Sequence, residues 1–219
     1  MTKSLLNYKG VDLIEEEVLA LKKLEKIYEN EIYLIDESYP LDEWDMGPFF
    51  KIKSHHVDSI MLMDPLMCYG CTKFDAECRT CEMKSFFEVI ACFKYLRTLF
   101  IFFDLYHDLE TLPQYLKELK SLEKLTISGA NLTKLPEFIG EFKHLRYLNL
   151  SGNKLTELPQ SIGNLESLER LILNNNRLSS LPDSFVNLKA LKHLDLSWTD
   201  FEELPEMLKK RRDEIKIFL

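Results

Sequence analysis

At 219 residues the chain has room for one or two domains and an ample core. A hydrophobic share of 46% beside 29% charged residues excludes a disordered or low-complexity chain, and a net charge of −8 argues against a phosphate-backbone ligand. No run of 18 apolar residues occurs, so no membrane-spanning helix is expected.

The first residues, "MTKSLLNYKGVDLIEEE", lack the apolar core of a signal peptide. The expected compartment is the cytoplasm, where thiols stay reduced; export without a signal peptide is the alternative. Residues 11–30 carry Ile14, Val18, Leu21, Leu24 and Tyr28 at helical spacing, and Asp12 with Glu15 reads as a capping box. "EIYLI" (31–35) and "FFKIK" (49–53) read as short strands around the acidic loop "DESYPLDEWDMGP". Trp44 in that loop is read as a ring folded onto the core, with a surface contact as the alternative. His55 and His56 fall where a hairpin turn belongs and are read as polar turn residues rather than metal ligands.

From Val57 onward a period sets in. "LEKLTISGANLTKLPEFIGEFKH" begins at Leu122, and three further copies begin at Leu145, Leu168 and Leu191, 23 residues apart each time. The shared pattern is LxxLxLxxNxLxxLPxxIxxL. Such a period marks a solenoid, because one unit cannot bury its own leucines and must stack on its neighbours. Leu148 and Leu150 lie two apart on one face of a short strand, which turns Tyr147 and Asn149 outward. Asn153 and Asn176 hold the slot where the chain turns, and Pro159, Pro182 and Pro205 open the return. Upstream, the unit from Leu96 has 26 residues, with three inserted between Ile101 and Leu109. His107 falls in its turn slot. Further upstream, Val57, Ile60 and Leu62 fill the leucine positions of a first unit that ends on Ile90, Phe93 and Leu96. Ile217 and Leu219 fill two positions of a final strand.

The first unit is 39 residues long against a period of 23, so sixteen residues are extra, and they lie between Met67 and Phe86. Cys68, Cys71, Cys78 and Cys81 are all inside that insertion, which spans about residues 68–85. The loop has little apolar content to offset its ordering entropy, so something must hold it. C-x2-C-x6-C-x2-C is two thiolate pairs, and two pairs close a tetrahedron around one ion. One structural zinc per chain is expected. A single iron in the same sulfurs, two disulfides after export, or free thiols are the alternatives. Cys92, between Ala91 and Phe93, reads as a small buried apolar residue.

The repeat pattern resembles the leucine-rich repeat family, in its 23-residue "LPxxIGNL" class found in bacteria, spirochaetes included. The resemblance covers about residues 57–219 and implies a curved solenoid with a parallel sheet on its concave side. The expected fold class is therefore α/β: a leucine-rich repeat domain over 57–219 with the cysteine insertion, preceded by a helix-plus-strand capping region over 1–56. A cap is needed because a solenoid leaves its first leucines bare.

No GxSxG, HExxH or GxxxxGK[ST] occurs, and His144 and His193 have no nucleophile placed beside them by the repeat. The chain stops in its last strand, leaving no room for a separate catalytic domain, so no enzyme activity is expected. The third, fifth, seventh and eighth positions of each unit should line the concave face. They give Met61, Met63, Phe100, Phe102, Phe103, Tyr147, Ile172, His193, Trp198 and Phe218 toward its ends, and Thr126, Asn149 and Asn174 in a polar centre. The three-residue insertion turns Phe102 or Phe103 inward if the unit bulges, and Met61 and Met63 pack on the cap in an alternative reading. The expected function is non-catalytic binding of a protein or peptide through Phe100, Phe102, Tyr147, Asn149, Arg170, Ile172, His193 and Trp198. No nucleic acid and no membrane are expected as partners. A metal- or redox-responsive sensor built on the cysteines is the alternative. Ile217, Phe218 and Leu219 on the last strand predict weak self-association, unless "KKRRDE" (209–214) shields that edge with charge.

Elemental analysis of the purified chain should find one zinc per molecule; no metal beside intact free thiols would refute the zinc reading.

Overall fold

A computed structural model describes residues 5–8, 11–28, 33–34, 49–54, 56–63, 86–103 and 109–219. The four clustered cysteines, Trp44, His55, Met67 and His107 lie outside the described residues.

The chain opens differently from the helix expected over residues 11–30. Leu5–Tyr8 (β1) and Val11–Ile14 (β2) form an antiparallel hairpin, and the helix is Glu15–Tyr28 (α1). Short apolar runs suit a strand as readily as a helix, and here the partner strand decides. Asp12 therefore stands on β2, where its Oδ1 accepts a hydrogen bond from Asn7 Nδ2 at 3.1 Å across the hairpin. The helix starts instead on Glu15, Glu16 and Glu17, whose charges favour the positive end of the helix dipole. Val18, Leu21 and Leu24 of α1 are buried as the spacing required.

Both expected strands form, as Tyr33–Leu34 (β3) and Phe49–Lys53 (β4). β4 turns through Ser54, at φ 51, into His56–Met63 (β5). His56 is more than a turn residue. Its Nδ1 lies 3.5 Å from Oε1 of the buried Glu17, whose other oxygen accepts the Val57 N–H at 3.1 Å. Its ring stacks on Tyr95 with centroids 3.8 Å apart. This cluster ties α1 to the first repeat.

From β5 the sheet grows by parallel addition: Thr98–Phe102 (β6), Lys124–Ser128 (β7), Tyr147–Asn149 (β8), Arg170–Ile172 (β9), His193–Asp195 (β10) and Lys216–Phe218 (β11). The order from one edge to the other is β11-β10-β9-β8-β7-β6-β5-β4-β3, nine strands. The pairing register repeats the sequence period. Ser59 faces Thr98, which faces Lys124, and then Tyr147, Arg170, His193 and Lys216 follow in one row. The sheet and one continuous apolar core run without a break from α1 and β4 through the last unit.

The return path of the four units from Leu96 to Leu168 is a short 3-10 helix opened by a proline. Pro113, Pro136, Pro159 and Pro182 stand before Gln114–Glu118, Glu137–Glu141, Gln160–Asn164 and Asp183–Asn187, with φ between −62 and −76. Pro205 opens the last return, Glu206–Lys209 (α2), which is a short α-helix. The glycine after the isoleucine is a packing requirement. A Cβ on Gly163 would lie 2.3 Å from the Ser184 carbonyl oxygen, and one on Gly140 would lie 2.4 Å from that of Ser161.

Two buried amides hold consecutive units together. Asn153 Nδ2 donates to the carbonyls of Ile127 and Leu150, both at 2.9 Å, and its Oδ1 accepts the Leu132 N–H at 3.1 Å. Asn176 repeats this one unit on: Nδ2 to Leu150 and Leu173 at 2.9 Å, and Oδ1 from Leu155 at 3.0 Å. The next slot holds Thr199, whose hydroxyl donates to Leu196 O within its own unit. Outside the core, the second position of successive units alternates in charge. Arg97 pairs with Glu123, and Glu169 takes both Arg146 at 3.5 Å and Lys192 at 2.8 Å. Exposed pairs of this kind contribute little each.

Cys92 is exposed, not buried. It follows the helical residues 86–90, in a turn whose inward positions are taken by Ile90 and Phe93.

Asn176→Ala takes the amide partner from the Leu173 carbonyl and the Leu155 N–H, while Leu150 O keeps Asn153, at about 1–3 kcal/mol for such a buried group. It should lower unfolding stability in urea several times more than Thr199→Ala. Equal losses from the two variants would contradict the ladder.

Candidate functional site

The outward face of the parallel strands carries two rows. The first is Ser59, Thr98, Lys124, Tyr147, Arg170, His193 and Lys216; the second is Met61, Phe100, Thr126, Asn149, Ile172, Asp195 and Phe218. Leu125, Leu148, Leu171 and Leu194 alternate with them and are buried in the core. Every residue expected to meet a partner lies on or beside these rows. Phe100, Phe102, Tyr147, Asn149, Ile172 and His193 are half-buried, and Arg170 and Trp198 are exposed.

Not all of the broader aromatic set is available. Met61 is buried, on β5 between β4 and β6 of the sheet, so it offers little surface to a partner. Phe103 is buried too: its N–H donates to Ser128 O at 2.8 Å and the ring joins the core. This is the inward turn expected from the three-residue insertion, and it falls on Phe103 rather than Phe102.

Phe100 and Tyr147 approach across β7, with ring centroids 6.3 Å apart above the buried Thr126. The small side chain on β7 lets two aromatics from different units form one apolar spot. Asn149 Oδ1 accepts the Ser151 N–H at 2.9 Å, and Asp195 Oδ1 accepts Ser197 N–H at 3.0 Å and Oγ–H at 2.6 Å. These side chains shape the turns after their strands as well as facing outward. His193 packs on Phe218, with centroids 5.1 Å apart. Burial, then the neighbouring cations Arg170 and Lys216, hold its imidazole below the usual histidine range, while Asp195 acts the other way.

Trp198 is the outlier of the face. It is 84% exposed and sits at φ 59. The equivalent residues of the preceding units, each 23 apart, are Asn175 at φ 54, Gly152 at φ 66 and Gly129 at φ 74. The turn requires the left-handed region, which glycine and asparagine tolerate and a bulky side chain does not. The period fixes this slot in the sequence, but only the dihedral reveals that a tryptophan is strained there.

A second concavity, of about 380 Å³, opens at the leading edge of β5–β7. Lys53, His56, Tyr95, Arg97, Glu123 and His144 line it among others. Its unit residues recur just before and just after the opening leucine (Tyr95, Ser121 and His144; Asp58, Arg97 and Glu123), a flank that sequence reading passed over for the outward face, and the N-terminal hairpin closes it. Arg97 and Glu123 satisfy each other, and His56 is engaged by Glu17 and Tyr95.

Residues 137–211 match the family model described as a leucine-rich repeat region, and the parallel repeat solenoid accords with that match. Among solved structures, a leucine-rich repeat protein of Leptospira interrogans is 35% identical, with a TM-score of 0.52. The match covers 60% of this chain and 33% of that one, so this chain spans about a third of that protein's length. A plant ice-binding protein is 24% identical over 85% of this chain and 57% of its own, with a TM-score of 0.59; that likeness concerns the fold alone. Among curated proteins nothing matches the chain.

Trp198→Gly should leave stability unchanged or raise it by up to about 1 kcal/mol, since relief of left-handed strain outweighs glycine's entropy. Thermal unfolding checks this, and a loss of more than about 1 kcal/mol would show that the ring stabilises the fold.

Proposed function

We propose that this chain is a non-catalytic interaction module that takes a protein or peptide partner on the outward face of β6–β10. Phe100, Phe102, Tyr147, Asn149, Arg170, Ile172, His193 and Trp198 form its contact set. The observation that carries this reading is Trp198: a large apolar ring is held in solvent, at a backbone conformation that costs stability, where the three preceding units place glycine or asparagine. Strain of that kind persists where it serves a site. A rigid aromatic ring is also the side chain in which binding energy concentrates. Phe100 and Tyr147 supply a second aromatic spot four strands away from Trp198's unit at most, so one extended partner reaches both.

The 23-residue spacing and the likeness to the Leptospira protein support the bacterial class of the repeat. Residues 1–56 act as the cap of the solenoid in this reading, supported by the shared core of α1, β4 and β5. Cys68, Cys71, Cys78 and Cys81 hold one structural zinc, which closes the insertion of the first unit and places the chain in a reducing compartment.

Phe100→Glu and Trp198→Glu should each abolish capture of partners from cell lysate while circular dichroism and zinc content stay at wild-type levels. Capture at wild-type levels by both variants would overturn the reading.

A further inference from the structure

The outward face has the opposite sign to the chain. On a protein of net charge −8, the two rows over β5–β11 carry Lys124, Arg170 and Lys216. The one acid in those rows is Asp195, whose Oδ1 is occupied by Ser197. Among the described residues, the three cations have no ion-pair partner, whereas the cations one position earlier, Arg97, Arg146 and Lys192, are each matched by a glutamate. The repeat thus neutralises its second position and leaves the third uncompensated. His193 lies between Arg170 and Lys216 in the same row.

The spacing is as specific as the sign. Lys124, Arg170 and Lys216 stand on β7, β9 and β11, with Tyr147 on β8 and His193 on β10 between them. Cations on alternate strands are about 9.5 Å apart, two steps of ~4.8 Å. A polyproline II segment advances ~3.1 Å per residue and returns to the same side every third residue, about 9.3 Å on. An extended β-strand puts every third residue on the opposite face, and an α-helix needs seven residues to cover ~10.5 Å. The intervening rings of Tyr147 and His193 suit prolines, which dock between aromatics in grooves of this kind. The area agrees: seven strands paired over three to five residues give at most roughly 460 Å², too little for the ~800 Å² of a globular partner but enough for a peptide.

We propose that the partner is an acidic peptide in polyproline II conformation, laid across the strands with carboxylates at every third residue against Lys124, Arg170 and Lys216. This rests on the outward face being the binding surface. The sign of the face also attracts a single-stranded nucleic acid. A net charge of −8 disfavours a polyanion longer than the face, and three cations with two rings between them fit a short peptide better.

The test uses the full chain and labelled synthetic peptides in fluorescence anisotropy. The probe is a peptide of about twelve residues built from Asp-Pro-Tyr triplets. Its controls replace Asp by Asn or by Lys, or gather the same aspartates into one block. A thymidine oligonucleotide of equal length is the polyanion control. The triplet peptide should bind tightest. Arg170→Glu and Lys124→Glu should each weaken it about fivefold or more, the scale of one exposed pair, and raised salt should weaken it further. If the Asn peptide binds as tightly, and Phe100→Glu abolishes both, the charge inference falls while the face remains the binding surface. If peptides bind regardless of Phe100→Glu and Trp198→Glu, both readings fall. Equal binding of the blocked peptide, tighter binding of the oligonucleotide, or binding by none of the peptides would each overturn the proposal.

Discussion

A 23-residue unit of this chain cannot fold by itself, and everything else follows from that constraint. Its leucines find an apolar partner only in the units before and after it, so the strands add in parallel with one register and the core is continuous. Stacking leaves backbone groups at each turn cut off from water. Asn153 and Asn176 supply them with donors and an acceptor, each amide bridging two units. The proline-led 3-10 returns and the glycines that nearly touch the next unit set how closely the stack closes. With the interior so fully specified, the outward side chains of the strands have little duty to the fold beyond the turns that Asn149 and Asp195 shape, and function can be written there.

That division of labour shows at three levels. The fourth position of each unit is leucine and buried throughout β7–β10, while the third runs through Lys124, Tyr147, Arg170 and His193. The second position is given to alternating charges that satisfy one another along the edge. The third keeps cations uncompensated. Trp198 goes further, because it occupies a slot where the backbone demands glycine or asparagine and so sets the interest of the surface against that of the fold.

The solenoid was legible because its signal is periodic: the same leucines, asparagines and prolines recur at one spacing, and four copies in register leave little room for another fold. The rows of the outward face followed from the same period. What was not legible lay where the period stops. "VDLI" reads equally as a strand or as the first turn of a helix, and only pairing with Leu5–Tyr8 makes it a strand. The Glu17–His56–Tyr95 cluster joins residues from a helix, a hairpin and a repeat, and no spacing announces it. Cys92, between Ala91 and Phe93, has the neighbours of a core residue, yet the turn there faces it outward. Met61 belongs to the expected row but is buried where the row meets β4.

The claim that the outward face binds through Trp198 is open to a direct spectroscopic measurement. The chain has two tryptophans, Trp44 and Trp198, so a Trp44→Phe variant reports on the second alone. Free, its emission should be that of a ring in water, in keeping with 84% exposure. On addition of the captured partner the emission should shift to the blue, and a water-soluble quencher should lose access to the ring. A partner that binds fully while Trp198 keeps its emission and its quenching unchanged would contradict the account.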